Sequence, residues 1–413
     1  MIPLFLSLFF GLVIFITGPY IDKKISYIFL FSIFFSIFEF LRGNILTGFP
    51  WNLISYTWSS SLETIQILNF VGTYSLSLVS VTFFCTPFLF IKNKILRENI
   101  IFSLILIFIF VTNYSLGFYK INNNNFHYDK NVNIKIVSPN FSLNDFKDKS
   151  EIERIKKLIK ISSPEKNKKT IFIWPEGIFY ESYLQNINDY QDLFIEMFSE
   201  NHLLILGINN INKSKYFNSL VVLNHKLEII FLYNKINLVP FGEFLPFEKI
   251  LSNFGFKKIT RGYNSFSAGN KREEINLGDK FYNKKIIPLI CYEIIYSGRI
   301  KEKNQFPDLI VNISEDAWFG ESIGPKQHFS KAVYRAIEEG VFIARSANKG
   351  ISAFINPNGQ VIKSLNTDEA GNLELNFPNY KKSTLFSKYG NKIFYLILFL
   401  YMFLILIFKK YKI

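Results

Sequence analysis

The chain has 413 residues and a formal net charge of +14, and 49% of its residues are apolar, including 47 Phe. The apolar residues gather in blocks at the two ends, which indicates membrane segments on either side of a globular domain of roughly 250 residues. The basic residues are scattered and form no stripe with interleaved aromatic residues, so the composition does not favour a nucleic-acid-binding protein.

The sequence favours neither a metal nor another cofactor. No metal-ligand spacing relates the four histidines, His127, His202, His225 and His328. The second cysteine, Cys85, lies in an apolar run expected in lipid, so it is not expected to pair with Cys291. If the central domain faces an oxidising compartment, an unpaired Cys291 favours a reactive thiol over a structural one.

Five apolar runs with few charges are candidates for crossing a bilayer: residues 2–21, 25–41, 64–91, 99–119 and 393–408. The first run has no basic residues before it and no small-x-small cleavage motif after it. We therefore expect a retained helix rather than a signal peptide. The third run is longer than one span needs, so a short lead-in is expected before its helix.

The basic residues between these runs predict the orientation of the chain. They cluster between runs one and two, between runs three and four, and after run five: Lys23, Lys24, Lys92, Lys94, Arg97, Lys409, Lys410 and Lys412. The positive-inside rule makes all three clusters cytoplasmic. The N-terminus and the central domain are then both expected on the outer side of the membrane.

Residues 41–52 form an aromatic loop, broken by Gly and Pro, between the second and third runs. One interpretation is an interfacial aromatic belt. The other is that the loop lines the route by which a lipid reaches the external domain.

From about Asn131, short strand patterns alternate with amphipathic helix patterns, which predicts a layered α/β domain. The predicted strands are 132–137, 170–174, 203–208, 219–223, 228–233, 285–290, 308–313, 351–355 and 360–364, and the predicted helices are 150–161, 189–201 and 327–340. An Asn-Pro-Asn-Gly segment joins the last two strands and is typical of a hairpin turn.

Three of these strands lead into a residue with catalytic chemistry: Glu176, Lys235 and Cys291. A buried strand that ends in a nucleophile at a sharp turn presents that side chain at the rim of a sheet. The three strands look parallel, and we expect each to deliver one reactive group at its C-terminal end. For each residue taken singly, a structural role is the simpler interpretation, because cysteines are often buried and charged residues often lie on the surface.

The segments around these residues resemble the Glu-Lys-Cys triad of the carbon–nitrogen hydrolase (nitrilase) superfamily. Glu176 stands in Trp-Pro-Glu, Lys235 in Tyr-Asn-Lys, and Cys291 in Leu-Ile-Cys-Tyr-Glu. Further motifs resemble the apolipoprotein N-acyltransferase branch: Thr-Gly-Phe-Pro-Trp at 47–51, Val-Pro-Phe-Gly-Glu at 239–243, Asp-Ala-Trp-Phe-Gly at 316–320, Ser-Ile-Gly-Pro at 322–325 and Gln-His at 327–328. The likeness runs from about residue 41 to residue 359.

The resemblance implies an α-β-β-α sandwich, similar to the nitrilases, inserted between transmembrane helices of a bacterial inner membrane. The expected division is an N-terminal membrane domain over residues 1–122, an external or periplasmic catalytic domain over 123–385, and a C-terminal transmembrane helix with a basic tail over 386–413.

The implied activity is ping-pong transfer of a fatty acyl chain from a membrane phospholipid, through a cysteine thioester, to the α-amine of a lipoprotein's N-terminal diacylglyceryl-cysteine. An alternative is a membrane-tethered amidase or nitrilase acting on a small substrate, and a third is a non-catalytic scaffold. Several spans favour the first, since a tether needs only one.

The resemblance also implies residue roles: Cys291 as nucleophile, Glu176 as general base and acid, and Lys235 as oxyanion stabiliser, helped by the backbone N–H after the cysteine. Supporting candidates are Glu243, Tyr292 and Glu293, and candidates for substrate binding are Trp51, Trp318 and Phe319. For Glu293 a solvated or salt-bridged carboxylate is also plausible, and the aromatic residues could be core packing.

The chain departs from the family pattern in several places. It has fewer predicted spans, Glu315 and Lys349 stand where Asn is usual, and Ser138 and Phe146 stand where Gln and Trp are expected. None is a triad residue, so we expect consequences for substrate entry and acyl preference rather than for the chemistry.

Overall fold

Long apolar helices at the two ends of the chain flank two β-sheets in its middle. The computed structural model describes residues 2–22, 24–91, 97–142, 144–255, 265–302 and 304–410. Of the basic residues that predict the orientation, Lys23, Lys92, Lys94 and Lys412 lie outside these ranges.

The α-helices are α1 (Ile2–Thr17), α2 (Ile25–Asn44), α3 (Leu62–Ile65), α4 (Leu68–Cys85), α5 (Arg97–Asn123), α6 (Asp145–Asp148), α7 (Glu151–Ser162), α8 (Gln191–Met197), α9 (Glu248–Leu251), α10 (Gly324–Glu339), α11 (Leu385–Tyr389) and α12 (Lys392–Lys410). The strands are β1 (Tyr128–Ser138), β2 (Thr170–Ile173), β3 (Phe179–Tyr183), β4 (His202–Asn212), β5 (Lys215–Asn224), β6 (Ile229–Asn234), β7 (Ile275–Asn276), β8 (Lys285–Ile290), β9 (Leu309–Glu315), β10 (Phe342–Asn348), β11 (Ser352–Ile355), β12 (Val361–Leu365) and β13 (Gly371–Pro378). Short 3₁₀ turns include Leu184–Tyr190, Cys291–Ile295 and Ala317–Phe319.

Each predicted apolar run corresponds to a helical segment long and apolar enough to cross a membrane: Pro3–Tyr20, Ile25–Asn44, Leu68–Phe90, Arg97–Asn123 and Lys392–Lys410. The short α3 before α4 is the lead-in expected for the third run. Helices α2, α4 and α12 share a buried apolar cluster. On α5 and α12, by contrast, apolar side chains such as Phe108 and Phe399 are exposed, as suits faces that meet lipid.

The strands form two sheets. The first has the order β13-β1-β2-β4-β5-β6, with β3 also paired to β4, and the second has the order β12-β11-β10-β9-β8-β7. In the first, β1, β2 and β4 are parallel, and in the second β8, β9 and β10 are parallel. These central strands are apolar on both faces, as a sheet covered on both sides requires.

The sheets pack face to face and carry helices on their outer sides, so the fold is the α-β-β-α sandwich expected from the resemblance. Ile173 of the first sheet and Ile290 of the second share the central apolar cluster. The outer face of the first sheet packs Phe172 against Leu158 of α7 and Phe194 of α8. Successive residues of β2 thus face different layers, as the pleat of a strand dictates.

Helix α10 covers the second sheet and is itself covered by the membrane part of the chain. Ala332 and Ile337 of α10 share one buried apolar cluster with Ile287 of β8 and with Ile65 and Leu68 near α3 and α4. The helix layer over the second sheet is therefore also the layer that joins the sandwich to the membrane helices.

A polar contact reinforces this junction at a break in α4. Gly72 has a φ of 76°, and a side chain there would meet the ring of Phe386 at 2.0 Å, so only glycine fits. After the break, the backbone N–H and hydroxyl of Thr73 donate to Glu338 Oε1 at 2.7 and 2.6 Å. A carboxylate from α10 thus caps the second part of a membrane helix.

Several predicted elements differ from the structure. The predicted helix 189–201 is a 3₁₀ turn followed by the shorter α8, and β3, β7, β10 and β13 were not predicted. The three strands leading to the triad lie in different sheets: β2 and β6 belong to the first and β8 to the second. The sequence does not indicate this division, because a strand's apolar pattern shows which faces are buried but not which strand it pairs with.

Candidate active site

Cys291 directly follows β8 and begins the turn Cys291–Ile295. Its φ is 49°, in the left-handed region that residues with side chains rarely adopt. The β8 strand is held between β7 and β9, so the chain leaves the sheet abruptly at this residue. Such a strained turn presents a nucleophile at the rim of a sheet.

Glu176 and Lys235 meet although they come from different strands. Glu176 lies three residues after the end of β2, and Lys235 directly follows β6. Lys235 Nζ is 3.6 Å from Glu176 Oε1, and the two side chains are almost fully buried. The thiol of Cys291 interacts electrostatically with both of them. The structure thus brings together the three residues that the sequence selects.

Burial determines the protonation of this group. It raises the pKa of the Cys291 thiol, and the Glu176 carboxylate raises it further, while Lys235 and a hydrogen bond with Ser314 oppose this. Burial also raises the pKa of Glu176, although the Lys235 ammonium works against it. The thiol is therefore protonated at rest, beside a carboxyl group of increased basicity that can accept its proton.

Lys235 keeps its charge because carboxylates surround it. Burial alone would lower the pKa of its ammonium, but Glu243 and Glu176 raise it above its ordinary value. Glu243 Oε1 accepts from Lys235 Nζ at 2.9 Å, and Glu243 Oε2 accepts from the backbone N–H of Val239 at 2.8 Å. Glu243 is thus placed to orient the lysine.

Asn218, which was not predicted, joins the two carboxylates. Its Nδ2 donates to Glu176 Oε1 at 2.6 Å and to Glu243 Oε1 at 2.8 Å, and the side chain is buried. A single amide that precedes the apolar part of β5 has no sequence motif that identifies it. Its role depends on contacts that only the folded sheet creates.

Glu293 is a structural hub beside the triad. Its Oε1 accepts from the Tyr233 hydroxyl at 2.7 Å, Ile236 N at 2.9 Å and Arg272 Nη2 at 2.8 Å, and its Oε2 accepts from Ile290 N at 2.9 Å. Because both oxygens have donors and the residue is buried, it does not face an incoming amine. It fixes the segment after Lys235 against the end of β8.

The predicted aromatic residues divide into two groups. Trp51 Nε1 donates to Gln327 Oε1 at 2.7 Å, and the Trp51 ring lies 5.4 Å from that of Phe319 and 5.7 Å from that of His328. The Tyr292 hydroxyl is buried and donates to the carbonyl of Gly48 at 3.3 Å. These contacts bring the aromatic loop of the membrane part onto the Cys291 turn.

Trp318 is 53% exposed, in contrast to those residues. It lies in the turn Ala317–Phe319, next to a cleft of about 430 Å³. The described residues around the cleft include charges of both signs, among them Lys326 and Asp368.

His328 lies close to Cys291 in the folded chain. Among the described residues, Cys291, Asp316 and His328 form a group whose potential metal-ligand atoms lie within 4.8 Å of one another. Sequence spacing could not predict this group, because Cys291 follows β8, Asp316 follows β9 and His328 lies in α10. Asp316 is already paired with Arg345 at 2.7 Å, and a metal ion would meet that guanidinium. The absence of a metal stays a prediction.

Two of the departures from the family pattern also lie here. The backbone N–H of Glu315 donates to Glu176 Oε2 at 3.0 Å, and both its side-chain oxygens accept from Asn348 Nδ2 at 3.0 Å. Burial raises the pKa of the Glu315 carboxyl well above its ordinary value. Lys349 lines the polar cleft and pairs with Asp368 at 3.7 Å.

The other two departures are structural contacts. The Ser138 hydroxyl donates to the carbonyl of Ala347 at 3.3 Å. The Phe146 ring packs against that of Phe141 and under the guanidinium of Arg154.

Two family models match the chain. The model described as carbon-nitrogen hydrolase matches residues 165–376, and the model of the apolipoprotein N-acyltransferase N-terminal domain matches residues 1–86. The Rickettsia typhi apolipoprotein N-acyltransferase is 33% identical over 88% of this chain and 72% of its own. That of Bradyrhizobium diazoefficiens is 29% identical over 94% of this chain and 75% of its own.

Solved structures also resemble the chain. A carbon–nitrogen hydrolase superfamily protein from Xanthomonas campestris has a TM-score of 0.42 and 15% identity, over 59% of this chain and 89% of its own. A mutant amidase from Nesterenkonia sp. AN1 has a TM-score of 0.43 and 14% identity, over 62% of this chain and 94% of its own.

Proposed function

The chain belongs to the apolipoprotein N-acyltransferase family, and from that premise we propose that Cys291 accepts a fatty acyl chain from a membrane phospholipid. The thioester then passes the chain to the α-amine of a lipoprotein's N-terminal diacylglyceryl-cysteine. The acyl transfer to lipoproteins is the activity of the family, whereas the donor, the acceptor and the covalent intermediate are our proposal. The observation that carries it is the buried Lys235–Glu176 pair beside a thiol at a strained turn.

The first half-reaction follows from the charges in the site. Glu176 takes the proton of the Cys291 thiol, and the thiolate attacks an ester carbonyl of the phospholipid. The Lys235 ammonium and the backbone N–H of Tyr292 stabilise the tetrahedral oxyanion. Its collapse breaks the ester C–O bond, and Glu176 returns the proton to the leaving lysophospholipid oxygen. The product is a thioester on Cys291.

The second half-reaction reuses the same groups. The α-amine of the acceptor attacks the thioester and loses a proton to Glu176, and the oxyanion is held as before. Collapse breaks the C–S bond, and the proton restores the Cys291 thiol. The products are an amide and the free enzyme, so atoms and charges balance without a cofactor.

The setting of the site supports a lipid donor rather than a small amide. Trp51, from the aromatic loop of the membrane part, lies against Phe319 and His328 near the Cys291 turn. We propose that this loop borders the lipid's route to the thiol, and that the polar cleft beside Trp318 lies on the side of the acceptor's peptide. On this proposal residues 123–385 form the catalytic domain, on the periplasmic face of the inner membrane.

We expect Cys291 to become acylated. The protein in detergent, incubated with a defined phospholipid, should gain one fatty-acyl mass by intact-mass spectrometry, and neutral hydroxylamine should remove it. Cys291→Ala should gain none. Cys85→Ala is the matched control, because it removes the other cysteine of the chain and should acylate like the parent. A stable adduct elsewhere, or none in the parent, contradicts the scheme.

The same sample separates transfer from hydrolysis. The acyl-enzyme should persist in buffer and discharge when a diacylglyceryl-cysteine peptide with a free α-amine is added, giving an amide-linked product. A peptide whose amine is acetylated should not discharge it. An acyl-enzyme that hydrolyses as fast as it forms would favour the amidase alternative.

A further inference from the structure

The carbonyl of the nucleophile has a fixed hydrogen-bond partner. His328 Nε2 lies 3.2 Å from Cys291 O, and the His328 side chain is fully buried on α10. A carbonyl oxygen only accepts, so the ring proton must be on Nε2 for this bond to exist. His328 therefore donates to the backbone of the nucleophile.

Asp316 and Arg345 hold the other side of the ring. His328 Nδ1 lies 3.0 Å from Asp316 Oδ1 and 3.1 Å from Arg345 Nη2, and Arg345 Nη2 donates to Asp316 Oδ2 at 2.7 Å. Asp316 Oδ1 already accepts from Ser314 Oγ at 2.6 Å. This arrangement fixes the orientation of the ring. When the single proton of the neutral ring is on Nε2, the ring donates to Cys291 O and Arg345 donates to Nδ1.

The bond has a consequence for the next residue along the chain. The C=O of Cys291 and the N–H of Tyr292 belong to one planar trans peptide and point in opposite directions. A histidine that holds the carbonyl toward α10 therefore directs the Tyr292 N–H away from α10.

We propose that His328 is a positioning residue that aims the backbone N–H of Tyr292 at the oxyanion of the tetrahedral intermediates, with Asp316 and Arg345 orienting its ring. This inference rests on the proposed acyl transfer through Cys291. On this proposal α10 contributes to the reaction by orienting a backbone N–H, which none of the triad side chains does.

His328 does not serve as a second base in this arrangement. Burial lowers the pKa of its imidazole, and the Arg345 guanidinium lowers it further, so the ring is neutral at neutral pH. Both nitrogens are occupied by the contacts described above. The ring therefore orients the peptide and does not exchange protons with the substrate.

The test compares two reactions of the same thiol in the full-length Cys85→Ala protein. Acyl transfer from phospholipid passes through an oxyanion, whereas alkylation by iodoacetamide is a displacement at saturated carbon and forms none. We expect His328→Leu to slow single-turnover acylation roughly tenfold to a hundredfold. Its alkylation rate should stay within about twofold of the parent's across the pH profile. His328→Gln keeps a donor and should recover most of the acylation rate.

His202→Leu is the matched control. His202 is also a buried histidine whose Nε2 meets a backbone carbonyl, that of Glu165, at 3.0 Å, but it lies in β4 away from the thiol. It should leave acylation unchanged. The inference is overturned if His328→Leu acylates like the parent, or if its acylation and alkylation fall together, which indicates a displaced thiol or a misfolded variant. A parent protein that forms no acyl adduct contradicts the proposed function instead.

Discussion

Two buried carboxylates, those of Glu176 and Glu243, contact the buried ammonium of Lys235. Their contacts differ in length, which indicates different roles. Glu243 makes the shorter contact with Lys235, 2.9 Å against 3.6 Å for Glu176. The lysine charge is thus compensated mainly by Glu243 rather than by Glu176. Glu176, less strongly paired and raised in pKa by burial, stays basic enough to remove a thiol proton.

We expect Glu243→Gln to move the acid limb of the acylation pH profile. The negative charge of Glu243 contributes to the raised pKa of Glu176, so its removal lowers that pKa. Glu176 then becomes deprotonated at lower pH, and the limb shifts to lower pH. The maximal rate should fall roughly tenfold to a hundredfold, because Lys235 is no longer held in place.

Single-turnover acylation measured over a range of pH tests this expectation. Glu196→Gln, which removes an exposed carboxylate on α8, is the control and should shift nothing. A limb that stays in place or moves to higher pH contradicts the proposed sharing of charge.

At the scale of elements, α10 contains an unusual number of buried charged residues, including Arg335, Glu338 and Glu339. Arg335 and Glu338 pair with each other at 2.7 Å. The charge of the buried Glu339 carboxyl is less well compensated. Burial raises the pKa of its carboxyl to about 7, and the charge of Lys301 offsets only part of this. The helix therefore includes one group that titrates near neutrality.

We expect the stability of the protein to fall between pH 4.5 and 7 because of Glu339. Its pKa is higher in the folded than in the unfolded chain, so its contribution is fully present below the unfolded value and is lost as pH rises through the folded value. Glu339→Gln should be more stable than the parent at pH 8, by at most about 3 kcal/mol, and little different at pH 5.

Thermal unfolding in detergent at the two pH values measures this difference. The exposed Glu321→Gln is the matched control and should follow the parent. An equal gain or loss at both pH values would show that Glu339 does not titrate in this range.

An element can be predicted from the sequence when neighbouring residues along the chain determine it. Strand β8 was predicted with its observed bounds, and Gly340, with a φ of 68°, ends α10 where the sequence predicts. The three proposed triad residues were selected because their flanking residues form long motifs, and the structure places Glu176 and Lys235 together. Asn218 and Arg345 were not found, because each acts through partners distant in sequence. A buried polar residue in a strand has the same local pattern whether it supports a site or only a sheet.

At the scale of the whole molecule, the proposed orientation places the two ends of α5 on opposite sides of the membrane. The helix has 27 residues and a length of about 40 Å. In a Cys85→Ala, Cys291→Ala protein, an impermeant maleimide added to intact cells should label Asn123→Cys. It should label Glu98→Cys only after permeabilisation. Both substitutions are at exposed positions, so the reverse pattern would place the catalytic domain in the cytoplasm.

The position of α10 determines whether the sandwich can be separated from the membrane helices. In a free-standing sandwich the outer helices meet water, but here Ala332 and Ile337 lie in a cluster that continues into Ile65 and Leu68. Separating the membrane helices from the sandwich would expose this apolar cluster to water. It would also remove the two hydrogen bonds that Thr73 donates to Glu338. The sandwich is thus not an independent module. We therefore expect the membrane helices and the sandwich to unfold together, so that the bilayer holding the helices also stabilises the turn at Cys291.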